Sequence, residues 1–220
     1  MRSWVRCDCK GVHVPRCVVL TGGPGAGKTA VLEMIGHLFC HHIRVLPESA
    51  GLVFGGGFPR DRRPEIQRAA QRAIFFVQRE LETAAAADRP AILLCDRGTV
   101  DGVAYWPTSG SDMWTDLGTT LDEQLERYDA VIHLQTPRDA GDYNYDNPLR
   151  IETAPEAVAA DERILAAWAP HPCRTVIEPT PDFLLKVSRA IEVLRAQTPE
   201  CCQHHAVSLP PPAPPGRAVP

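Results

Sequence analysis

The chain has 220 residues, with 23 Lys and Arg against 27 Asp and Glu, a formal net charge of −4 and a sequence pI near 6.1. This balance predicts no broad basic surface, so it argues against a nucleic acid as the main partner. A hydrophobic content of 44% suffices for one substantial core, and no stretch approaches the roughly 18 apolar residues of a membrane span.

The first predicted element is a buried strand, Cys17–Thr21, and a glycine-rich run, Gly22–Thr29, follows it directly. The run has the sequence GGPGAGKT and matches the phosphate-loop pattern G-x-x-x-x-G-K-T, which requires a strand before it and a helix after it. The amphipathic stretch Thr29–Phe39 supplies that helix. The chain is therefore predicted to bind ATP or GTP, with a nucleotide site formed by Gly23, Pro24, Gly25, Ala26, Gly27, Lys28, Thr29 and Ala30.

Each part of this loop has a chemical task. The glycines let successive backbone N–H groups turn toward the phosphates, and the positive end of the helix dipole adds to their attraction. Lys28 is predicted to reach the β- and γ-phosphates, while the Thr29 hydroxyl is predicted to ligate Mg²⁺.

Strand-like and helix-like runs alternate along the rest of the chain, which predicts a parallel sheet with helices on both faces. The further predicted strands are residues 43–46, 91–95, 129–134 and 174–177. The predicted helices are residues 64–87, 117–128 and 183–197, and the glycine-rich segment Gly51–Pro59 is predicted to be a loop.

Charged residues follow two of these strands: Glu48 after the second, and Asp96 with Arg97 after the third. Ligands of open α/β sheets bind at the carboxyl ends of the strands, so these side chains are predicted to converge on the phosphate loop. Asp96 is the predicted second Mg²⁺ element, with a helix cap as the alternative.

Glu48 and Arg97 are each open to more than one role. Glu48 is predicted to accept the proton of an attacking hydroxyl, with Mg²⁺ binding or plain surface charge as alternatives. Arg97 can bind a substrate oxygen or a phosphate, or it can pair with a neighbouring carboxylate.

Two longer motifs accompany the loop: Asp96–Pro107, DRGTVDGVAYWP, and Tyr145–Glu152, YDNPLRIE. Together with the loop and Pro47-Glu48, they resemble the AAA-domain ATP/GTP-binding protein family. That family is related to the ribosyl-nicotinamide kinase domain of bacterial NAD regulators and, more distantly, to deoxynucleoside and thymidylate kinases. The resemblance extends over residues 16–196.

The resemblance implies a P-loop NTPase fold, a three-layer α/β sandwich whose five parallel strands have the order 2-3-1-4-5. It also implies a mobile lid over Pro137–Glu152, in which Arg150 would bind phosphates in the closed state, with Arg163 as a second candidate. Pro179 and Thr180, after the fifth strand, match the position where such kinases hold the nucleotide base. The fourth strand lacks a following Asn-Lys-x-Asp motif, so a G-protein type of guanine pocket is not expected.

Two functions remain open from the sequence. In the first, the chain is a kinase that transfers the γ-phosphate to a hydroxyl of a nucleoside-like molecule, with Lys28, Arg150 and Mg²⁺ stabilising the transferred charge. In the second, it is a nucleotide-dependent switch or binding module without an acceptor. The paired Glu48 and Arg97 favour the kinase, whereas the proline-rich segment Leu209–Gly216 slightly favours a protein partner.

The predicted domain boundaries leave an N-terminal extension, residues 1–15, a nucleotide-binding domain, residues 16–197, and a disordered proline-rich tail, residues 198–220. The first ten residues are polar and contain no apolar leader, so a cytoplasmic protein is expected. The eight cysteines are accordingly predicted to be reduced thiols. Cys7 and Cys9 with His13, or Cys201 and Cys202 with His204 and His205, could bind a metal, but neither set has the spacing of a known zinc motif.

Overall fold

Five strands form one parallel sheet in the order β2-β3-β1-β4-β5, in a computed structural model that describes residues 7–137, 153–180 and 182–203. The strands are β1 (Arg16–Thr21), β2 (Ile43–Leu46), β3 (Ile92–Asp96), β4 (Ala130–Leu134) and β5 (Arg174–Ile177). All neighbouring strands pair in parallel, so the predicted sheet and its strand order are confirmed.

Helices connect the strands and cover both faces of the sheet. The larger ones are α1 (Lys28–Leu38), α3 (Pro64–Ala86), α6 (Ala154–Ala167) and α7 (Phe183–Gln197). Shorter ones are α2 (Ser49–Gly55), α4 (Met113–Leu117), α5 (Leu121–Leu125), α8 (Glu200–Gln203) and a 3₁₀ helix, η1 (Thr99–Tyr105).

The central strand β1 is apolar on both faces, as a parallel sheet buried between two layers requires. Val18 and Leu20 pack with α1 and α7 residues such as Ile35 and Ile191 on one side. Val19, on the other face, packs in a second cluster that includes the fully buried Trp168. The core thus has two halves, and the sheet separates them.

Two local predictions are wrong. Helix α2, Ser49–Gly55, includes the first half of the predicted loop Gly51–Pro59, although glycine inside a helix costs roughly 1 kcal/mol relative to alanine. The predicted helix 117–128 is shortened to α5, Leu121–Leu125, because Gly118 ends the preceding helix α4 in a left-handed conformation with φ of 66° and Thr120 caps the start of α5.

The predicted lid, including Arg150, lies outside the described residues apart from Pro137. The domain boundaries at residues 16 and 197 stay predictions. Described residues beyond both boundaries nevertheless contact the domain, since Cys202 of α8 is buried against Cys40 and Ala91, with Cys7 beside them. None of the described helices is long and apolar enough to cross a membrane.

Candidate functional site

The carboxyl edge of the sheet brings the predicted charged residues together. In the strand register, Leu20 of β1 lies opposite Asp96 of β3, and Thr21 lies opposite His133 of β4. Asp96 therefore lies beside the end of β1 from which the phosphate loop leaves the sheet. Glu48 and Arg97 follow their own strands by one or two residues and face the same cleft.

The phosphate loop has the backbone that its glycines predict. Gly22, Gly25 and Gly27 have φ angles of 136°, 81° and 89°, a region that other residues adopt only with strain. A Cβ on Gly22 would also lie 2.0 Å from the carbonyl oxygen of Leu134. Helix α1 begins at Lys28 immediately after Gly27, so its N-terminus is directed at the loop.

Lys28 lies inside the loop. Its Nζ donates hydrogen bonds to the carbonyl oxygens of Gly22 and Gly23, at 2.8 and 3.1 Å. Burial, assisted by the charge of Arg97, lowers its pKa to about 8. An ammonium with a lowered pKa gains more than an ordinary one from a nearby anion, which suits a residue that binds phosphate.

Asp96 has the properties expected of a metal ligand. Its Oδ1 is buried and accepts no hydrogen bond from the described part of the chain. Burial raises the pKa of its carboxyl to about 6, and the charge of Lys28 only partly opposes that rise. A buried carboxylate oxygen without a donor is destabilised until a cation binds it. Asp96 and the exposed hydroxyl of Thr29 line the same cleft and together fit Mg²⁺, whose preferred ligands are oxygens.

Glu48 and Arg97 form an ion pair beside them. Arg97 Nε donates to Glu48 Oε1 at 2.6 Å, and its Nη1 donates to Asp101 Oδ1 at 3.1 Å. Burial opposes ionisation of Glu48, but the charges of Arg97 and Lys28 outweigh it, and the pKa of Glu48 is lowered. Arg97 has a left-handed backbone with φ of 70°, which is uncommon for a residue with a side chain. The carboxylate of Glu48 is thus ionised and fixed at the mouth of the phosphate loop.

Asp101 was not predicted as a site residue, although it belongs to the DRGTVDG motif. It is 3% exposed and accepts hydrogen bonds from the Thr21 hydroxyl, the Gly98 amide and the Trp168 indole, besides Arg97. It therefore connects the end of β1 to the ion pair. The spacing of four residues between Arg97 and Asp101 was the feature of the sequence that could have indicated their contact.

Asp161 is a second residue that the sequence analysis missed. Its Oδ1 accepts from the Gly23 amide at 2.6 Å and contacts His133 Nε2 at 2.9 Å, while Oδ2 accepts from the Thr136 amide at 3.1 Å. Burial opposes its ionisation, but these partners lower its pKa. Helix α6 thereby fixes the first turn of the phosphate loop. In the sequence, a buried polar contact at this place was indicated only by His133, a polar residue in an otherwise apolar strand.

A cleft of about 820 Å³ begins at the phosphate loop and extends between α2, α3 and η1. Lys28, Thr29, Glu48, Asp96 and Arg97 line its polar end. Aromatic and aliphatic side chains line much of the rest, together with polar residues such as Arg60, Gln67 and Gln71; the apolar ones include Phe54, Ile74, Phe75, Tyr105, Trp106 and Met113. The half-buried ring of Trp106 thus stands on the cleft wall.

The remaining predicted site residues lie elsewhere. Pro179 and Thr180 do not line the cleft, but the nearby Phe183 ring would touch a Cβ on Gly27, so the β5–α7 connection adjoins the phosphate loop. Their predicted contact with a nucleotide base stays a prediction. Arg163 borders the cleft, and its Nε donates to the carbonyl oxygen of Ala104 at 2.8 Å.

Comparison with known proteins gives results at two levels. A family model described as an AAA domain matches residues 17–184, whereas no curated protein matches the sequence. Among solved structures, NadR protein in complex with NR is 15% identical, with a TM-score of 0.64 over 84% of this chain and 52% of that one. NadR protein in complex with NAD and AMP-PNP is 13% identical, with a TM-score of 0.61 over 84% and 50%.

The fold and the phosphate loop define a P-loop nucleotide-binding protein of the NTPase class. The family match covers most of the chain, and the chain belongs to the AAA domain family, as its motifs predict. The likeness to NadR concerns the fold, and this chain spans about half the length of the two NadR chains.

Proposed function

We propose that the protein is a Mg²⁺-dependent small-molecule kinase, which transfers the γ-phosphate of ATP or GTP to a hydroxyl of a nucleoside-like acceptor. The observation that carries this proposal is the position of Glu48. Its carboxylate stands where a large, partly aromatic cleft meets the phosphate loop. A switch that only binds and releases a nucleotide has no need of such a pocket.

The phosphate loop and its neighbours would bind the triphosphate and stabilise the group that is transferred. Lys28 would contact the β- and γ-phosphates, where its charge compensates the charge that spreads over the transferred group. Thr29 and Asp96 would hold Mg²⁺, which when bound neutralises the phosphate oxygens and orients them. We propose Arg150, and Arg163 from α6, as further contacts to the phosphates.

Glu48 would act on the hydroxyl of the acceptor. As the acceptor oxygen forms a bond to the γ-phosphorus and the bond to the β-phosphate oxygen breaks, the hydroxyl proton passes to Glu48. A carboxylate with a lowered pKa is a weak base, but phosphoryl transfer has a loose transition state in which the proton leaves late. Arg97 then has a positioning role, because it holds the carboxylate through a hydrogen bond of 2.6 Å.

The acceptor class follows from the cleft walls. Tyr105 and Trp106 offer half-buried rings on which a planar base could stack. A structure of similar fold is described in complex with NR, which supports nicotinamide riboside as one member of the class to test. We also propose a cytoplasmic location, since none of the eight cysteines, all of which lie in the described residues, forms a disulfide, as is usual in a reducing compartment.

The test is a search for a new phosphate ester. The protein is incubated with Mg²⁺ and ATP or GTP and a panel of nucleosides that includes nicotinamide riboside, and the products are resolved by mass spectrometry. A phosphomonoester formed by the native protein and by the surface variant Glu80→Gln, but not by Lys28→Ala, supports the proposal. Nucleotide binding with no phosphorylated product from any acceptor would favour the switch instead.

A further inference from the structure

Seven side chains with metal-binding atoms gather at one place on the described surface. Five are cysteines and two are histidines: Cys7, Cys9, His13, Cys40, His42, Cys201 and Cys202. They come from the N-terminal segment, the connection between α1 and β2, and helix α8. Because these three parts are far apart in sequence, the sequence indicated Cys7, Cys9 and His13, and Cys201 and Cys202, only as separate groups; His204 and His205 lie outside the described residues.

The first set consists of Cys7, Cys40, His42 and Cys202, whose ligand atoms all lie within 4.8 Å of one another. His42 Nδ1 is 3.5 Å from Cys202 Sγ and 3.8 Å from Cys40 Sγ. In a tetrahedral site with zinc–sulfur bonds of about 2.3 Å, two ligand atoms lie roughly 3.6–3.8 Å apart. The two distances from His42 are therefore those of ligands around one zinc ion, and no other pair in the set exceeds 4.8 Å.

The second set consists of Cys9, His13, Cys201 and again Cys202, with the same limit of 4.8 Å. His13 Nε2 lies 3.8 Å from both Cys9 Sγ and Cys202 Sγ, and the sulfur atoms of Cys201 and Cys202 are 3.9 Å apart. Cys202 belongs to both sets, and its side chain is almost wholly buried between them.

We propose that these residues bind two zinc ions bridged by the thiolate of Cys202, one held by Cys7, Cys40 and His42 and the other by Cys9, His13 and Cys201.

Charge and ligand type support zinc. Five thiolates carry five negative charges against four positive charges on two zinc ions, and the two histidines bind as neutral imidazoles, so little net charge is left to bury. Sites with four sulfur and nitrogen ligands are typical of structural zinc, because no coordination position is left for a substrate. The sites would therefore stabilise the fold and take no part in catalysis.

The cluster lies at the edge of the sheet opposite the cleft. His42 immediately precedes β2, and Ala91, which packs beside Cys40 and Cys202, immediately precedes β3. Glu48 and Asp96 lie at the other ends of these strands, on the order of 15 Å away at about 3.3 Å per residue. Zinc loss should consequently affect stability more than nucleotide binding, and the proposal does not depend on the kinase activity.

The metal content of the full chain is the direct test. Protein purified without chelator is expected to contain two zinc ions per chain by elemental analysis. Co²⁺ added to chelator-stripped protein should produce the intense visible absorption of tetrahedral cobalt and a thiolate charge-transfer band, with saturation at two equivalents. Neither readout depends on enzyme activity.

Variants divide the two sites. Cys9→Ser with His13→Ala changes only the irregular N-terminal segment, so the chain should fold and retain one zinc ion. Cys202→Ser removes the bridge and should lower the content of both sites. Cys173→Ser alters an exposed cysteine outside both sets and serves as the matched control, with two zinc ions expected.

Other results would overturn the proposal. Metal-free protein with eight reactive thiols and no cobalt spectrum would exclude both sites. Disulfides among the five cysteines would also exclude them, because the sulfur atoms could then not bind zinc as thiolates. One zinc ion per chain, unaffected by the Cys9 and His13 changes, would overturn the bridged pair.

Discussion

Glu48 is held ready for its proposed role by Arg97 and Lys28, whose charges keep its carboxyl ionised despite burial. Glu48→Gln preserves the shape and removes the charge that accepts a proton. We expect Mg-nucleotide affinity to survive within a few fold, while phosphoryl transfer falls by about 10²–10⁴. Titration calorimetry and a transfer assay on one preparation check this, with Glu80→Gln as the control. A loss of metal-dependent binding instead would assign Glu48 to Mg²⁺.

The buried carboxylate of Asp96 lowers the stability of the folded protein at neutral pH. Because its pKa is raised to about 6, the folded state holds its proton more tightly than the unfolded chain does. Stability contributed by this group is present at low pH and is lost as the pH rises from about 4 to about 6.

Asp96→Asn should therefore raise the free energy of unfolding at pH 7.5 by about 1–2 kcal/mol in the absence of Mg²⁺, and it should weaken Mg-nucleotide binding at least tenfold. Urea unfolding with and without Mg-nucleotide measures both effects. The gain in stability should vanish near pH 4. A variant that is less stable at pH 7.5 would contradict the assignment of a desolvated carboxylate.

The pKa of Lys28, about 8, gives a second pH dependence, which acts on nucleotide affinity at higher pH. Phosphate binding requires the charged ammonium, so affinity for the triphosphate should fall as the pH rises through about 8, by up to about tenfold per pH unit above it. Lys28→Arg keeps the charge at every pH in this range and should remove the dependence, even if the affinity is lower overall. An identical pH profile in both proteins would refute this assignment.

At the scale of elements, helix α6 holds the phosphate loop in place through the hydrogen bonds that Asp161 accepts. Asp161→Ala removes the acceptor of the Gly23 and Thr136 amides and leaves both buried. We expect a loss of about 2–4 kcal/mol in the free energy of unfolding and a nucleotide affinity at least tenfold weaker. Glu80→Gln, at an exposed position of α3, should change neither quantity; denaturant melts and nucleotide titrations compare the two variants.

The regular elements could be predicted because their signals are local. Runs such as Ile92–Cys95 are wholly apolar, and the glycines of the phosphate loop have few other uses. Helices α4 and α5 could also have been separated, since Gly118 and the Thr120-x-x-Glu123 capping box are visible in the sequence. Helix α2 could not, because its formation depends on packing against α3 and overrides two glycines.

The site residues can likewise be divided into those that have a local sequence signal and those that depend on tertiary packing. Lys28 is found by the phosphate-loop motif, and Glu48, Asp96 and Arg97 are found by their positions at or just after the ends of strands. Asp161 lies in the middle of a helix that carries two other acidic residues, Glu156 and Glu162, and only the packing of α6 against the loop distinguishes it. The Cys and His cluster depends on three distant segments meeting, which no spacing rule describes.

At the scale of the whole molecule, the two ends of the chain differ in what they contribute. Deleting residues 206–220 should leave the melting temperature and nucleotide affinity nearly unchanged, since that segment has too few apolar residues to join the core. Deleting residues 199–220 also removes buried Cys202 and should lower the melting temperature by several degrees. Differential scanning calorimetry of the two truncations tests this, and equal melting temperatures would show that α8 contributes nothing.

The meeting of Cys7 and Cys202 beside Ala91 has a mechanical consequence. A force that pulls on the two ends of the molecule enters and leaves at almost the same point, so the sheet between them carries little of the load. With zinc bound, the metal–thiolate bonds must break before tension reaches β1 or the phosphate loop. A single molecule stretched from its termini should accordingly rupture at a higher force with zinc than after chelation, while a pull applied across the cleft should be insensitive to the metal.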